Sequence, residues 1–298
     1  MNFHKPLGIH RRAFIQQGVL CLAATGGLGA QDDTAPLFQI GLMTDLHYAD
    51  KPATKTRFYR EALIKIDEAV STFNQKKPAF VVELGDLIDA APTVEQEISW
   101  LQTIEKRYAQ LSMPRHYVLG NHCVTTLTKK EFASHTGASE SPNHVFDHAG
   151  FRFIILDACF REDGTSYGRN NFHWQDTHIP AEQLEWLQSQ LSPAPGPVIV
   201  FAHQRLDESP GHAVKNAAAV REILEKSSNV LAVFQGHSHK NDHQQIAGIH
   251  YTTLVAMVEG SGIENSGYAL LDILPDHSLR LHGFRRQAHQ KFTRSTQQ

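Results

Sequence analysis

Cysteine is scarce: three occur in 298 residues, and one of them, Cys21, falls within the first thirty. Cys123 and Cys159 alone cannot make a disulfide framework, which leaves a single bridge or two unpaired thiols open. A surplus of positive charge is missing too. The formal charge is −3, and three basic residues (Lys5, Arg11, Arg12) with no acid lie in the first thirty positions, so the remainder carries 25 basic against 31 acidic residues. That gives no footprint for nucleic acid. It does not exclude a small anionic substrate, because bound cations would be the largest local charges. No apolar run is long enough for a comfortable membrane span; Gly18–Leu28 falls short, and no stable membrane anchor is expected. Internal repeats, low-complexity tracts and a clear inter-domain linker are also lacking, which favours one domain. Histidine, by contrast, is plentiful at nineteen, and imidazole is the commonest transition-metal ligand.

Residues 1–30 read as a targeting segment. His10-Arg-Arg-Ala-Phe14 precedes a run of small and apolar residues, with a cleavage point after Ala30. Paired arginines before Phe resemble a twin-arginine export signal. Residues 31–298 are then the functional domain, exported to the periplasm with the export machinery as its partner. A twin-arginine route carries folded proteins, so metals could be loaded beforehand. The alternative is an uncleaved N-terminal anchor helix.

Along the chain, apolar runs predict strands at Phe38–Met43, Phe80–Leu84, Tyr117–Leu119, Pro197–Phe201 and Val230–Phe234. Helical spacing predicts helices at Thr56–Asn74, Thr93–Leu111, Thr128–His135, Ala181–Leu191 and Val214–Lys226. Val145–Phe146 and Phe151–Leu156 read as strands paired around Gly150. Residues 161–177 have no period and read as a surface loop of the kind that carries function. The last sixty residues predict antiparallel β-structure at Ile249–Val255, Tyr268–Ile273 and Leu279–Phe284.

The five strand-like runs share an ending. Asp45-Leu-His47, Gly85-Asp86, Gly120-Asn121-His122, Phe201-Ala-His203 and Gly236-His237-Ser-His239 all deliver oxygen or imidazole donors where an α/β sheet hands its strands to the surface. Any one of these residues alone is more often a helix cap or a satisfied polar group. Together, Asp45, His47, Asp86, Asn121, His203, His237 and His239 offer carboxylate, amide and imidazole without thiolate, a mixture suited to manganese, iron or zinc. Seven donors exceed the need of one ion, and two ions sharing a carboxylate fit the count.

In this order, Asp45-x-His47, Gly85-Asp86-x-x-Asp89, Gly120-Asn121-His122, His203 and Gly236-His237-x-His239 resemble the motifs of calcineurin-like metallophosphoesterases, over about residues 38–240. The resemblance implies a four-layer αββα sandwich with a dimetal site at the strand C-terminal ends. It implies one ion on Asp45, His47, Asp86 and His239 and another on Asp86, Asn121, His203 and His237, manganese being favoured. It makes His122 the imidazole that serves the reacting phosphoryl group and Asp89 its partner. Hydrolysis of a phosphodiester or pyrophosphate by a metal-bridging hydroxide is the activity implied, with phosphomonoester cleavage as the alternative and a non-catalytic scaffold as the third reading. Cys123 stands where the family commonly has an acid after Asn-His. Asp45-Leu-His-Tyr-Ala-Asp50, Arg57-Phe-Tyr-Arg60, Leu84–Asp89 and Phe153–Ala158 look like the manganese-dependent ADP-ribose/CDP-alcohol diphosphatase group. Tyr48, Phe160, Tyr167, Phe172, His173 and Trp174 are candidates to wall the substrate pocket.

Overall fold

A computed structural model describes residues 34–192 and 194–293, together with the backbone of a short antiparallel ladder pairing Ile15–Gln16 with Val19–Leu20. Apart from that ladder, the expected export signal lies outside the described residues. Met1–Ala35 is a unit of its own, and both sheets of the sandwich belong to the second unit, Pro36–Gln298.

The first sheet contains β1 (Phe38–Met43), β2 (Phe80–Glu83) and β3 (Arg115–Tyr117). The second contains β4 (His144–His148), β5 (Phe151–Ile155), β6 (Val198–Phe201), β7 (Val230–Gln235), β8 (Asp242–Ile246) and β9 (Ile249–Thr253). The chain then returns to the first sheet with β10 (Gly267–Ile273), β11 (Leu279–Arg285) and β12 (Gln290–Phe292). The strand orders are β12-β11-β10-β1-β2-β3 and β8-β9-β7-β6-β5-β4. In the first sheet β1, β2 and β3 run parallel; in the second β5, β6, β7 and β9 do.

Alternation along each strand builds the layers. Ile40, Leu42, Phe80 and Val82 point to one side and pack with Phe153, Ile155, Ile199, Phe201 and Phe234, closing the two sheets face to face. Met43 and Val81 point the other way, under α1 (Ala62–Lys76) and α2 (Val94–Tyr108). Ile154, Val198, Val200 and Val233 meet α4 (Ala181–Leu191) and α5 (Ala217–Lys226) on the far side. Strands buried on both faces need apolar residues at every position, hence the near-continuous runs in the sequence. The result is the αββα sandwich expected.

Local chemistry sets the helix ends. Thr93 Oγ1 accepts from the Gln96 backbone N–H (3.3 Å) to start α2, and Thr128 with Glu131 forms a capping box at the head of α3 (Lys129–Ser134). The first helix departs from expectation and starts at Ala62, not Thr56. Residues before it are spent on a tight Thr54–Arg57 pairing and on an Arg57–Glu259 bridge, then a 3₁₀ turn at Tyr59–Glu61. The C-terminal expectation also needs correction. Ile249–Thr253 is antiparallel to Asp242–Ile246 but parallel to β7, because the Ala247-Gly248 hairpin turns the chain back between them.

Candidate metal centre

Strands β1, β2, β3, β6 and β7 are each followed within four residues by a polar side chain of the site, Asp45, Asp86, Asn121, His203 and His237 respectively. Backbone hydrogen bonds fix the handover: Asp45 N–H donates to Gly85 O (2.9 Å), His47 N–H to Asp86 O (2.8 Å) and Gly236 N–H to His203 O (3.1 Å). Five of the seven expected ligands then adopt a left-handed backbone, with φ of 53° at Asp45, 45° at His47, 59° at Asp86, 71° at His237 and 60° at His239. Such conformations cost side-chain-bearing residues about 1–3 kcal/mol each and persist only where the surroundings over-determine them. Glycine is required at Gly120 for a different reason, since a Cβ there would lie 2.1 Å from Asp86 Oδ1.

All seven residues converge. Asp45, His47 and His239 bring one donor atom each within 4.8 Å of one another, and so do Asp86, His203 and His237. Asp86 Oδ2 lies 3.4 Å from His47 Nε2 and 3.0 Å from His203 Nε2, so it stands between the two clusters. Asn121 lines the same cleft. Asp45 Oδ1, Asn121 Oδ1, His203 Nε2 and His237 Nε2 are buried without a hydrogen-bond partner among the described residues. Buried polar atoms are normally paired; four such atoms left over in one cleft, with Asp86 between the two clusters, fit a site for cations.

The electrostatics agree. Burial pushes the Asp45 carboxyl up, but His203, His239 and His47 more than reverse that and hold it well below its usual range. Asp86 is likewise held far down against burial by His203, His122 and His47. In return, burial lowers His203 and His239, while Asp86 with Asp45 in one case and Asp45 with Glu259 in the other lift each to about 9. His237, beside His203, is driven by burial down to about 3. Protons on His203 and His239 thus offset the charge of the Asp45 and Asp86 carboxylates, while the His237 ring stays neutral.

His122 and Asp89 form a third cluster with His47. His122 Nδ1 is paired with Asp89 Oδ1, and its backbone N–H donates to Asp86 Oδ1 (2.8 Å). Burial opposes the charged ring, yet Asp86 and Asp89 raise its pKa. Lys51 Nζ holds the other oxygen of Asp89 at 2.5 Å.

The loop carrying Asn121 and His122 finds its support in Glu97 of α2. Its fully buried carboxylate accepts from the backbone N–H groups of Ala91 (3.0 Å), Thr126 (3.1 Å) and Leu127 (3.2 Å). Cys123, where an acid was expected, is simply buried, and both Cys123 and Cys159 are free. The cleft above the ligands has a volume of about 490 Å³ and is walled by Arg57, Thr125, Phe172, His173, Trp174 and His212. Tyr48 packs instead in the core, Phe160 lies under Lys129 and Tyr167 stacks behind Phe172, so these three do not line it. Glu97, Lys51, His212 and Glu259 carry no motif that would have marked them in the sequence.

The family model for calcineurin-like phosphoesterases matches residues 38–241, well over half of the chain. The chain belongs to that family. It is a metal-dependent hydrolase of phosphoric ester or anhydride bonds that works with two metal ions. Among curated proteins it is similar to the manganese-dependent ADP-ribose/CDP-alcohol diphosphatase of Oryza sativa subsp. japonica, 26% identical over 87% of this chain and 95% of the relative. The Arabidopsis thaliana and Mus musculus proteins of the same name are 25% and 22% identical, each over 83% of this chain. Among solved structures, a dimetal phosphatase from Danio rerio superposes with a TM-score of 0.78 at 21% identity, over 87% of this chain and all of that one. This metallophosphoesterase therefore shares the fold of that structure over the whole of its length.

Proposed function

We propose that this phosphoesterase cleaves the pyrophosphate or phosphodiester bond of a nucleotide-type substrate, with ADP-ribose or a CDP-alcohol as the reference compounds. The observation that carries the reading is the cleft itself. A space of about 490 Å³ opens over the ligand clusters, and its lining includes Arg57 as a cation and Phe172 and Trp174 as aromatic rings. The names of the curated relatives support it.

In this reading Asp45, His47, Asp86 and His239 hold one ion, and Asp86, Asn121, His203 and His237 hold the other. Bound there, two ions polarise a phosphoryl group and acidify water. The chain's own residues do the rest. Asp89 fixes His122 through Nδ1, which is buried while the ring as a whole is about a quarter exposed, so the other nitrogen faces the cleft. With its pKa raised, the ring carries a proton that it donates to the phosphoryl or leaving oxygen. Trp174, half-exposed beside His237, offers its face to a base.

The test compares ADP-ribose, a CDP-alcohol, bis-nitrophenyl phosphate and nitrophenyl phosphate on manganese-loaded protein. The nucleotides are expected to lead, and a monoester preference of orders of magnitude would make the enzyme a phosphatase instead. We further propose that residues 1–30 are an export signal and that residues 31–298 act in the periplasm. The R11K/R12K double variant should then stay in the cytoplasmic fraction; unchanged fractionation would remove this reading.

A further inference from the structure

Each ligand set has two imidazoles and shares Asp86, and the two differ both in their remaining donor, Asp45 against Asn121, and in what stands behind the rings. His203 Nδ1–H donates to the backbone carbonyl of Leu84 at 2.9 Å, a neutral acceptor. No ion pair joins a His237 ring nitrogen to a carboxylate among the described residues. Behind the other cluster the picture is reversed. His239 Nδ1–H donates to Glu259 Oε1 at 2.7 Å, and His47 Nδ1 lies 3.7 Å from Asp89 Oδ1. A carboxylate on one ring nitrogen fixes the tautomer and makes the other nitrogen a stronger donor to a cation.

Glu259 is also held in place with unusual care. Lys65, fully buried on α1, donates from Nζ to the carbonyls of Met257 (2.8 Å), Glu259 (3.1 Å) and Gly260 (2.6 Å). Val258 N–H donates to Asp45 O (3.0 Å), and Gly260 N–H to Thr56 O (2.7 Å). The segment that carries Glu259 is thus tied both to the ligand loop and to the helix behind it. His239 Nε2 is turned to lie 3.3 Å from Asp45 Oδ1 and 3.1 Å from His47 Nε2.

We infer that Glu259 is a positioning residue that makes the Asp45–His47–His239 site the tight one of the pair, leaving the Asp86–Asn121–His203–His237 ion readily exchanged. The inference rests on the proposed two-ion site. The ions share Asp86, so the sites differ in the Asp45 carboxylate against the neutral amide of Asn121, and beyond that in the charge standing behind their imidazoles; Glu259 supplies the second of these differences.

The experiment uses full-length, manganese-loaded protein, dialysed against graded chelator and followed by metal content and by the manganese resonance spectrum. The wild type should release one ion early and retain the other. Glu259→Gln keeps a hydrogen-bond acceptor but removes the charge, and it should weaken the retained ion roughly 10- to 100-fold, the range usual for a ligand's outer partner. His239→Ala should abolish the retained ion, whereas His203→Ala should abolish only the labile one. Circular dichroism of each metal-free variant shows whether it is folded; should Glu259→Gln not fold, Glu259→Asp replaces it and should restore retention at intermediate strength. Unchanged retention in Glu259→Gln, or loss of the tight ion in His203→Ala with His239→Ala unaffected, would overturn the inference while leaving a dimetal enzyme. Protein that binds no manganese at all would instead overturn the two-ion reading on which it stands.

Discussion

The floor of the cleft and its rim are built by opposite means. On the floor, Asp45, His47, Asp86, Asn121 and His203 are all but fully buried, sit on the ends of sheet strands and are crossed by backbone hydrogen bonds from one strand end to the next. On the rim, Phe172, His173 and Trp174 belong to an irregular loop, with Trp174 39% exposed, and His212 lies on another loop. The difference teaches that the reaction and the choice of substrate are separable here: donors that must be placed to fractions of an ångström are given to rigid strand ends, and contacts that must suit one ligand are given to loops.

The largest effect should come from the shared carboxylate. Asp86→Asn should lose both ions by metal analysis and lower turnover by more than about 10⁴-fold, beyond what a positioned acid alone supplies; an active variant would mean that the floor does not hinge on this residue. His122→Ala should keep both ions yet lower kcat by roughly 10²–10⁴-fold. If metal content fell with activity, the division between ligand and proton donor would be wrong. A third test concerns protons on the floor. His203 and His239 move from the usual 6.5 to about 9 on folding, so in the metal-free protein their stabilisation is complete below pH 6.5 and is lost as pH rises through about 9. Manganese must displace those protons. The gain in melting temperature on adding manganese should therefore grow from pH 6.5 to pH 9, and a flat gain would show that these rings are already neutral. The smallest effect belongs to the rim. Trp174→Ala should raise KM for a nucleotide by roughly 5- to 10-fold, the low end of what a base stack contributes, with the nitrophenyl diester untouched. An equal loss on both substrates would erase the contrast between floor and rim.

What could be read from the sequence divides along the same line. Gly-Asp, Gly-Asn-His and Gly-His-x-His after apolar runs are local signals, because a parallel strand buried on both faces announces both itself and its end. All seven donors named on that basis meet in space. Glu259 gives no such signal. It follows Val255–Val258 as one more acid after an apolar run, and its value depends on His239, twenty residues away, and on Lys65 from the first helix. Glu97 reads as an ordinary acid in the first turn of a helix, where acids are common; only packing turns it inward to hold the His122 loop. The late start of the first helix has the same origin, since the bridge from Arg57 to Glu259 crosses more than two hundred positions. Long-range hydrogen bonds leave no periodicity behind.

The left-handed backbone at five of the donors carries one more consequence. Glycine would relax in those places what aspartate and histidine must endure, so the backbone strain persists only because the buried carboxylates and imidazoles hold one another in place. Exchanging His47 for glycine should ease that backbone but strip Asp45, Asp86 and Asp89 of a neighbouring ring, so the variant should melt earlier than the wild type in the presence of a chelator and hydrolyse nothing.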